Sequence, residues 1–321
     1  MMNLTLESAI DFYLADAHAR RLSANTINDY QRTFKKLIKF VGKDKPITDI
    51  TTNDMRLFLA DFPHLKPKSI CNMHAGLSAL WAFWVREELV EAHIMKKIDP
   101  PKLDVVEIQP FTTSEIKLLF TAIKKTSLFK REKDSVPMSR SVPFPKRNKA
   151  ILMLLLDAGP RASELCDLRF EDLDLKAQTI TIKLGKGRKM RTPPFSAATA
   201  KAIMAYLGER KATVDKYKGT DSGKPAPTDY VFINSKNKPL DRDKLWQVVS
   251  DIGKRAGIGA YPHKFRHTFA IFYLKNGGNI YYLQQILGHQ DLKMIKRYLA
   301  ISKQDMVDAH KHFSPVANLN L

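Results

Sequence analysis

The chain has 321 residues, of which 44% are hydrophobic, and its 53 basic against 33 acidic residues give a formal net charge of +20. This length suffices for two domains, and so large a positive charge indicates a polyanionic partner, most economically nucleic acid. No apolar run approaches the roughly 18 residues that a membrane span needs. Cys71 and Cys166 are far apart in the sequence and form no C-x-x-C pair. We therefore expect a reduced, cytoplasmic protein that is neither secreted nor anchored to a membrane.

Helical patterns predict four helices in the first 90 residues, at about 5–19, 25–41, 51–62 and 67–89. In the fourth, Trp81 and Trp84 fall at helical spacing among other apolar residues, and we expect them in the core rather than stacked on bases. Basic residues interleave with these helices and fit either a solvated face or contacts to DNA phosphates. They are Arg20, Arg21, Arg32, Lys35, Lys36, Lys39, Lys66 and Lys68.

Prolines interrupt the helical pattern at 99–102 and again at 109–110. The sequence thus predicts a helical domain over 1–100, a linker over 101–111 and a second domain over 112–321. The second domain begins with a capping box, in which Thr112 precedes Glu115 by three residues, and its first helix is predicted to run to about residue 125. Residues 126–146 hold three prolines and many basic residues, which predicts a long basic loop that either touches DNA or is disordered.

A helix at about 148–158 is apolar on nearly every side and should be buried. Arg161 follows it at a junction between a loop and the next helix, where backbone N–H groups favour an anion. An ordinary helix-end salt bridge with Glu164 is the alternative interpretation of this arginine.

The clearest β-pattern lies at 179–182, where β-branched residues alternate, and the chain returns over 189–194 after a glycine-rich turn. Lys186 stands between two glycines at the tip of this predicted hairpin, although the turn lacks the phosphate-loop pattern. Beyond it we predict a polar surface loop over 208–228 and a helix over 240–256. The short apolar run at 230–233 between them is predicted to be a strand or a buried entry to that helix.

Residues 261–302 concentrate polar side chains at predicted helix ends. His263 and Arg266 are three residues apart and share a helix face. A helix at 280–287 should end at Gly288 and leave His289 in a turn, and Tyr298 follows nine residues later. Imidazoles, a guanidinium and a phenol without a carboxylate cluster suit an anionic substrate that a tyrosine oxygen attacks.

Two other interpretations of this stretch are weaker. His263 and His267 have the i, i+4 spacing of a helical zinc pair, but Lys264 replaces the usual glutamate and no third ligand is evident. We therefore predict no metal and no other cofactor. The other phenols nearby belong to predicted helix faces rather than to a site. They are Tyr273, Tyr281 and Tyr282.

Four segments of this chain together resemble the tyrosine site-specific recombinases of the phage-integrase family. They are G-P-R-A-S-E-L-C-D-L, L-G-K-G-R-K, H-K-F-R-H-T-F-A and L-G-H, the last followed after nine residues by Tyr298. The resemblance implies a mainly α fold with a small β-sheet, in which a helical core-binding domain precedes an α+β catalytic domain. The chain leaves no room for a separate arm-binding domain, which favours a two-domain architecture similar to that of the Xer recombinases.

The resemblance also implies a set of site residues. The catalytic set is Arg161, Lys186, His263, Arg266, His289 and the nucleophile Tyr298, supported by Glu164. Lys183 or Lys189 takes the place of Lys186 if the hairpin register is shifted. Pro160 stands where the family usually has a hydrophobic residue.

The implied function is cleavage and rejoining of double-stranded DNA through a 3′-phosphotyrosyl intermediate, to integrate, excise or resolve DNA elements. The implied assembly is a homotetramer on DNA, with weak association in its absence, a terminal helix at 305–312 that passes to a neighbour, and accessory DNA-bending or directionality proteins. The expected location is the cytoplasm, with the nucleoid. A type IB topoisomerase and a non-catalytic DNA-binding regulator are the alternatives.

Overall fold

The computed structural model describes residues 4–103, 109–123, 127–129, 138–140, 144–183, 190–215 and 228–288, together with residues 310, 311, 314 and 316. The chain separates into two compact units, Met1–Val106 and Glu107–Leu321. Helices dominate both units, and the strands form small two-stranded sheets. The prediction of a mainly helical chain with little β-structure is therefore confirmed. No helix in the described ranges has the length and apolar character that crossing a bilayer requires.

Three helix starts in the described part of the first unit are capped by side chains. Thr5 and Ser23 accept backbone N–H groups at the first two helix starts, and Thr51 forms a capping box with Asp54 at the third. The helices are α1 (Leu6–Ala19), α2 (Ala24–Val41), α3 (Thr52–Ala60) and α4 (Pro67–Arg86).

The core of the first unit centres on α4. Trp81 and Trp84 are 1% and 0% exposed, and their ring centroids lie 4.7 Å apart in an edge-on arrangement. The indole of Trp84 donates a hydrogen bond of 3.1 Å to the carbonyl of Ala9, which joins α4 to α1. The prediction that both tryptophans are core residues is confirmed. The eight interleaved basic residues named from the sequence are all exposed.

The second unit has a longer series of elements. Its helices are α5 (Thr113–Ala122), α6 (Pro145–Asp157), α7 (Ala162–Cys166), α8 (Ala197–Asp215), α9 (Arg242–Ala256), α10 (Pro262–Lys275) and α11 (Ile280–Leu287). Its strands are β1 (Ser127–Phe129), β2 (Met138–Arg140), β3 (Leu173–Asp174) and β4 (Thr179–Ile180). The apolar α6 packs against α8 and α10, and its Ile151, Leu152 and Leu155 are fully buried.

The prediction of a loop over 126–146 is wrong in two places. Ser127–Phe129 and Met138–Arg140 pair as antiparallel strands, with Ser127 opposite Arg140. Two three-residue strands need only backbone hydrogen bonds, so they leave no side-chain periodicity to detect. At its end the predicted loop already belongs to α6, because Pro145 occupies the first helical turn, where its missing N–H costs nothing.

The predicted surface loop over 208–228 is also wrong in its first third, because α8 continues to Asp215. Ile203 and Tyr206 of α8 are fully buried, and the tyrosine hydroxyl donates to the carbonyl of Val231 at 3.0 Å. Tertiary packing of this face maintains the helix through its polar last turns. Residues 216–227 lie outside the described part of the chain.

The predicted hairpin is present, and it has a further partner that the sequence did not indicate. Ile182 and Arg191 exchange two backbone hydrogen bonds, of 2.8 and 3.3 Å, so the two arms of the hairpin pair. On the other side β4 pairs antiparallel with β3, with Leu173 opposite Ile180. The tip, residues 184–189, lies outside the described residues. Of the predicted apolar run at 230–233, residues 231–233 are fully buried, whereas Tyr230 is partly exposed.

Candidate active site

The loop between α6 and α7 places Arg161 at the start of α7. Gly159 has a φ of +60°, and a Cβ there would lie 2.5 Å from the ring of Phe269 on α10, so only glycine fits this close approach. Arg161 then donates from its backbone N–H to Glu164 Oε2 and from Nη1 to Glu164 Oε1, both at 2.7 Å. The predicted salt bridge with Glu164 therefore exists. The Arg161 side chain is nevertheless 30% exposed, which leaves it accessible to an anion.

Glu164 is the shared acceptor of the site. Its side chain is 8% exposed, and besides Arg161 it binds Arg191, whose Nη1 and Nη2 donate to Oε1 at 3.0 Å and to Oε2 at 2.6 Å. Burial alone would raise the pKa of Glu164, but hydrogen bonds and charge from Arg191 and Arg161 outweigh it and lower this pKa to about 2. Glu164 is thus an anion held between two guanidiniums.

Arg191 is a site residue that the sequence interpretation missed. It lies on the returning arm of the hairpin, its side chain is 6% exposed, and its Nε donates to the carbonyl of Ile286 at 2.7 Å. In the sequence it is one of several basic residues near a predicted turn, which are usually solvated. One signal for the burial of Arg191 was available: it stands opposite the apolar Ile182 when the two arms of the hairpin pair.

Arg266 lies on α10 and is 1% exposed. Its Nη1 donates to the carbonyl of Gly159 at 2.6 Å, and its Nη2 donates to the carbonyl of Leu287 at 2.7 Å. These bonds join α10 to the end of α6 and to the end of α11. Because Gly159 is two residues before Arg161, they also place the guanidinium of Arg266 beside the loop that carries Arg161.

His263 lies on the first turn of α10, and its ring contacts that of His267 edge-on, with 4.6 Å between centroids. Burial lowers the pKa of His263, and the positive charges of Arg266 and then Arg161 lower it further. The imidazole is therefore neutral at pH 7. Both guanidiniums are close enough to influence it, which brings His263, Arg266 and Arg161 into one site.

The other predicted site residues lie outside the described residues: these are Lys186, His289 and Tyr298. The alternative lysine, Lys183, is described, and its Nζ is bound by Glu171 Oε1 at 2.6 Å and by Asp172 Oδ1 at 2.7 Å. These carboxylates raise the pKa of Lys183, which makes it a weaker proton donor. Lys189, the other alternative, also lies outside the described residues.

An open pocket of about 600 Å³ adjoins the site. Arg161 and Glu164 line one side, and Thr181 and Lys183 on the first arm of the hairpin line another. The pocket therefore connects the exposed guanidinium with the arm that leads to Lys186. Within the described ranges, no three histidine, cysteine, aspartate or glutamate side chains gather as metal ligands would. This arrangement of cations and a neutral imidazole suits the binding of a phosphate group.

Comparison with known protein families gives two matches. Residues 111–305 match the phage integrase family, and residues 10–88 match the N-terminal SAM-like domain of phage integrases. The first match alone covers more than half of the chain, and it includes Arg161, Lys186, His263, Arg266 and the later site residues.

Individual relatives agree with these matches. The tyrosine recombinase XerD of Halalkalibacterium halodurans is 29% identical over 305 residues, which are 93% of this chain and 94% of the relative. Among solved structures, the XerH site-specific recombinase bound to palindromic difH substrate has a TM-score of 0.68 at 22% identity, covering 91% of this chain and 81% of that one. A lambda integrase tetramer bound to a Holliday junction has a TM-score of 0.69 at 17% identity, covering 92% and 78%. The likeness to these two structures concerns the fold.

Proposed function

The chain belongs to the phage integrase family, and from that premise we propose a site-specific DNA recombinase that cleaves and rejoins strands through a 3′-phosphotyrosyl bond to Tyr298. One observation supports this most directly. Arg161, His263 and Arg266 come from two separate segments of the chain, yet Arg266, on the same helix as His263, donates to the carbonyl of Gly159, two residues before Arg161, and both guanidiniums lower the pKa of His263. Convergence of two cations on one accessible point is what a backbone phosphate requires.

The guanidiniums stabilise the charge that develops during the reaction. A phosphodiester carries one negative charge and gains a second in the pentacoordinate transition state. Arg161 approaches the non-bridging oxygens from the accessible side, and Arg266 contributes its charge from the buried side. His289, which directly follows the end of α11, donates a further hydrogen bond to the same phosphate.

The chemical step transfers the phosphorus from one oxygen to another. The phenolic oxygen of Tyr298 attacks phosphorus, the bond from phosphorus to the 5′ oxygen breaks, and Lys186 gives a proton to that leaving oxygen. His263, neutral in the free protein, takes the phenolic proton. Because the phosphotyrosine conserves the energy of the broken bond, the reaction needs neither ATP nor a metal. Attack by the 5′ hydroxyl of a partner duplex then reverses the step and exchanges strands.

We further propose a division of labour between the predicted domains. Residues 112–321 carry the chemistry, and residues 1–100 hold the duplex, joined by the linker over 101–111. The eight exposed basic residues of the first unit contact phosphates and position the duplex without reading its sequence. Part of the linker, residues 104–108, lies outside the described residues.

Recombination joins two DNA sites, so we propose that four copies of the chain act together. The lambda integrase that resembles this chain is a tetramer on a Holliday junction, and the XerH recombinase is bound to a palindromic substrate. On this basis we expect a homotetramer on a pair of sites, assisted by accessory DNA-bending or directionality proteins. Because its substrate is DNA, we propose that the protein acts at the nucleoid in the cytoplasm. The positions of the two DNA sites determine whether recombination integrates, excises or resolves a DNA element.

The role of Tyr298 is tested with a nicked recombination site, on which cleavage releases a short strand and traps the covalent adduct. Tyr298→Phe should form no adduct and should bind the same DNA with an affinity within about threefold of the unmodified protein, because binding rests on phosphate contacts elsewhere. Tyr281→Phe, which removes a phenol 61% exposed on α11, is the matched control and should cleave normally. Adduct formation by Tyr298→Phe contradicts the assignment.

Recombination itself is tested on a plasmid with two sites. We expect the protein to exchange the sites and to remain active in EDTA, since no step uses a metal ion. Relaxation of supercoils on DNA without a site pair, or loss of activity in EDTA, would contradict the proposal. The relatives do not favour the topoisomerase and regulator alternatives, because they are recombinases.

A further inference from the structure

Arg191 has a place in the site that the proposed reaction does not use. Its backbone pairs with Ile182 across the hairpin, five residues after Lys186. Its guanidinium makes a fork-to-fork contact with both carboxylate oxygens of Glu164, and its Nε donates to the carbonyl of Ile286. One side chain therefore connects three segments: the hairpin, the start of α7 and the end of α11.

The contact with Glu164 determines how Arg161 is held. Glu164 Oε1 accepts from both Arg161 Nη1 and Arg191 Nη1, and Oε2 accepts from the Arg161 backbone and from Arg191 Nη2. With Arg191 present, the charge of Glu164 is divided between two guanidiniums. Without it, Arg161 is the cation that remains on this buried carboxylate among the described residues, and the carboxylate holds that guanidinium more tightly away from a phosphate.

The contact with Ile286 holds the carboxyl end of α11 beside the hairpin. The last carbonyls of a helix have no partner within the helix, and here Arg191 binds that of Ile286 while Arg266 binds that of Leu287. Gly288 fits closely against the same guanidinium, because a Cβ there would lie 2.8 Å from Arg191 Nη1. The two arginines therefore hold the carboxyl end of α11, up to Gly288, beside the hairpin and α10.

We propose that Arg191 is a positioning residue for strand cleavage, which orients Arg161 through Glu164 and holds the end of α11 beside the hairpin. It does not contact the phosphate, because its Nε, Nη1 and Nη2 all donate to Ile286 or to Glu164. This inference rests on the proposed function, since it requires that Arg161 binds the phosphate.

The test is Arg191→Lys, which keeps the charge but cannot bind both Glu164 oxygens and the Ile286 carbonyl together. Single-turnover adduct formation on a saturating nicked site should fall about a hundredfold, the loss that a 1 Å misplacement of catalytic groups brings. Affinity for the same DNA should stay within about threefold, because phosphate contacts elsewhere supply it. Normal cleavage by this variant, or a loss of DNA affinity equal to the loss of rate, overturns the proposal.

Arg147→Lys is the matched control for a purely structural effect. Arg147 is a 4% exposed arginine that likewise binds a carbonyl, that of Ile233, and a side-chain oxygen, that of Asn148. It lies on the first turn of α6, roughly 15 Å along the helix from the end near the site. Both variants should lower the melting temperature, but only Arg191→Lys should slow cleavage. Equal slowing in both variants would reduce Arg191 to a stabilising role and overturn the proposal.

A double-mutant cycle tests the route through Glu164. If Arg191 acts through that carboxylate, the losses in cleavage rate of Arg191→Lys and Glu164→Gln should not multiply in the combined variant. If the two losses in cleavage rate do multiply in the combined variant, Arg191 does not act through Glu164. The unmodified protein separates this inference from the proposed function: if it forms no adduct at all, the proposed function fails and this inference with it, whereas normal adduct formation leaves Arg191 to be judged by its own variants.

Discussion

Glu164 balances the charges of two arginines at the candidate site. Its folded-state pKa of about 2 is lower than the ordinary 4.5, so its ionised form stabilises the folded chain. That stabilisation is fully present above pH 4.5 and is lost as the pH falls towards 2. Glutamine has the same shape as glutamate but no charge, so at position 164 it would leave Arg191 buried beside a much weaker hydrogen-bond acceptor.

Glu164→Gln should therefore lower the free energy of unfolding by about 3 kcal/mol at pH 7. The difference from the unmodified protein should shrink as the pH falls from about 4.5 to about 2, because the wild-type carboxyl then loses its charge as well. Urea unfolding at several pH values measures it. Glu171→Gln, which removes an exposed carboxylate paired with Lys183, is the control and should cost little. A loss for Glu164→Gln that does not vary with pH would contradict this account.

His263 should titrate below its ordinary pKa of 6.5 in the free protein, because desolvation and the positive charges of Arg266 and Arg161 disfavour its protonated form. Its carbon-bound ring proton, followed by NMR against pH, measures this directly. Arg161→Met should raise the pKa by removing one of the two charges. A pKa at or above 6.5 in the unmodified protein would show that the guanidiniums do not converge on the imidazole.

The motifs of the sequence indicated four described residues of the candidate site but not Arg191. Arg161, Glu164, His263 and Arg266 stand in segments whose spacing is specific. Arg191 becomes a site residue only when the hairpin pairs and α11 packs beside it, and both depend on contacts between residues far apart in the chain. No local pattern distinguishes a buried arginine from a solvated one.

At the scale of elements, the carboxyl end of α11 is where packing and the candidate chemistry meet. Gly288 has a φ of +63° and closes α11, as Gly257 with a φ of +71° closes α9. A Cβ at Gly257 would meet nothing within 4 Å, whereas one at Gly288 would press on Arg191. The two glycines thus share a backbone requirement and differ in their surroundings.

Gly257→Ala should cost about 1 kcal/mol of stability through backbone strain alone. Gly288→Ala should cost at least as much, and it should also slow adduct formation, because Arg191 must move. Thermal unfolding and single-turnover cleavage of both variants separate the two effects. Normal cleavage by a folded Gly288→Ala variant would show that the end of α11 tolerates this movement.

The elements that the sequence missed are those stabilised by tertiary contacts. The last turns of α8 are mostly polar. The helix is held by Ile203 and Tyr206, which are buried and pack it against α6 and the run at 231–233. β3 has two residues and exists because β4 pairs with it. Helices with side-chain caps, such as α2 and α5, were predicted to within a few residues because their signals are local.

At the scale of the whole molecule, the net charge of +20 governs association with DNA. If six or more basic residues contact phosphates, affinity should fall by about a thousandfold or more between about 50 and 200 mM salt. Fluorescence anisotropy with a labelled duplex measures the slope of log affinity against log salt concentration.

Exposed lysines of α2 test which surface of the first unit is used. Lys35→Gln combined with Lys39→Gln should reduce the magnitude of the salt slope by about 2. Arg86→Gln is the control, because Arg86 already pairs with Asp16 and Glu87, and it should leave the slope unchanged. An unchanged slope in the lysine variant would mean that this face is only solvated.

We propose that one phenolic oxygen, that of Tyr298, becomes joined to the 3′ end of the cleaved strand. Trapping the adduct on a nicked site, digesting it with protease and sequencing the nucleotide-bearing peptide by mass spectrometry tests this directly. We expect a phosphotyrosine at Tyr298 alone. A nucleotide on Tyr273, Tyr281 or Tyr282, or strand cleavage without any linked peptide, would contradict it.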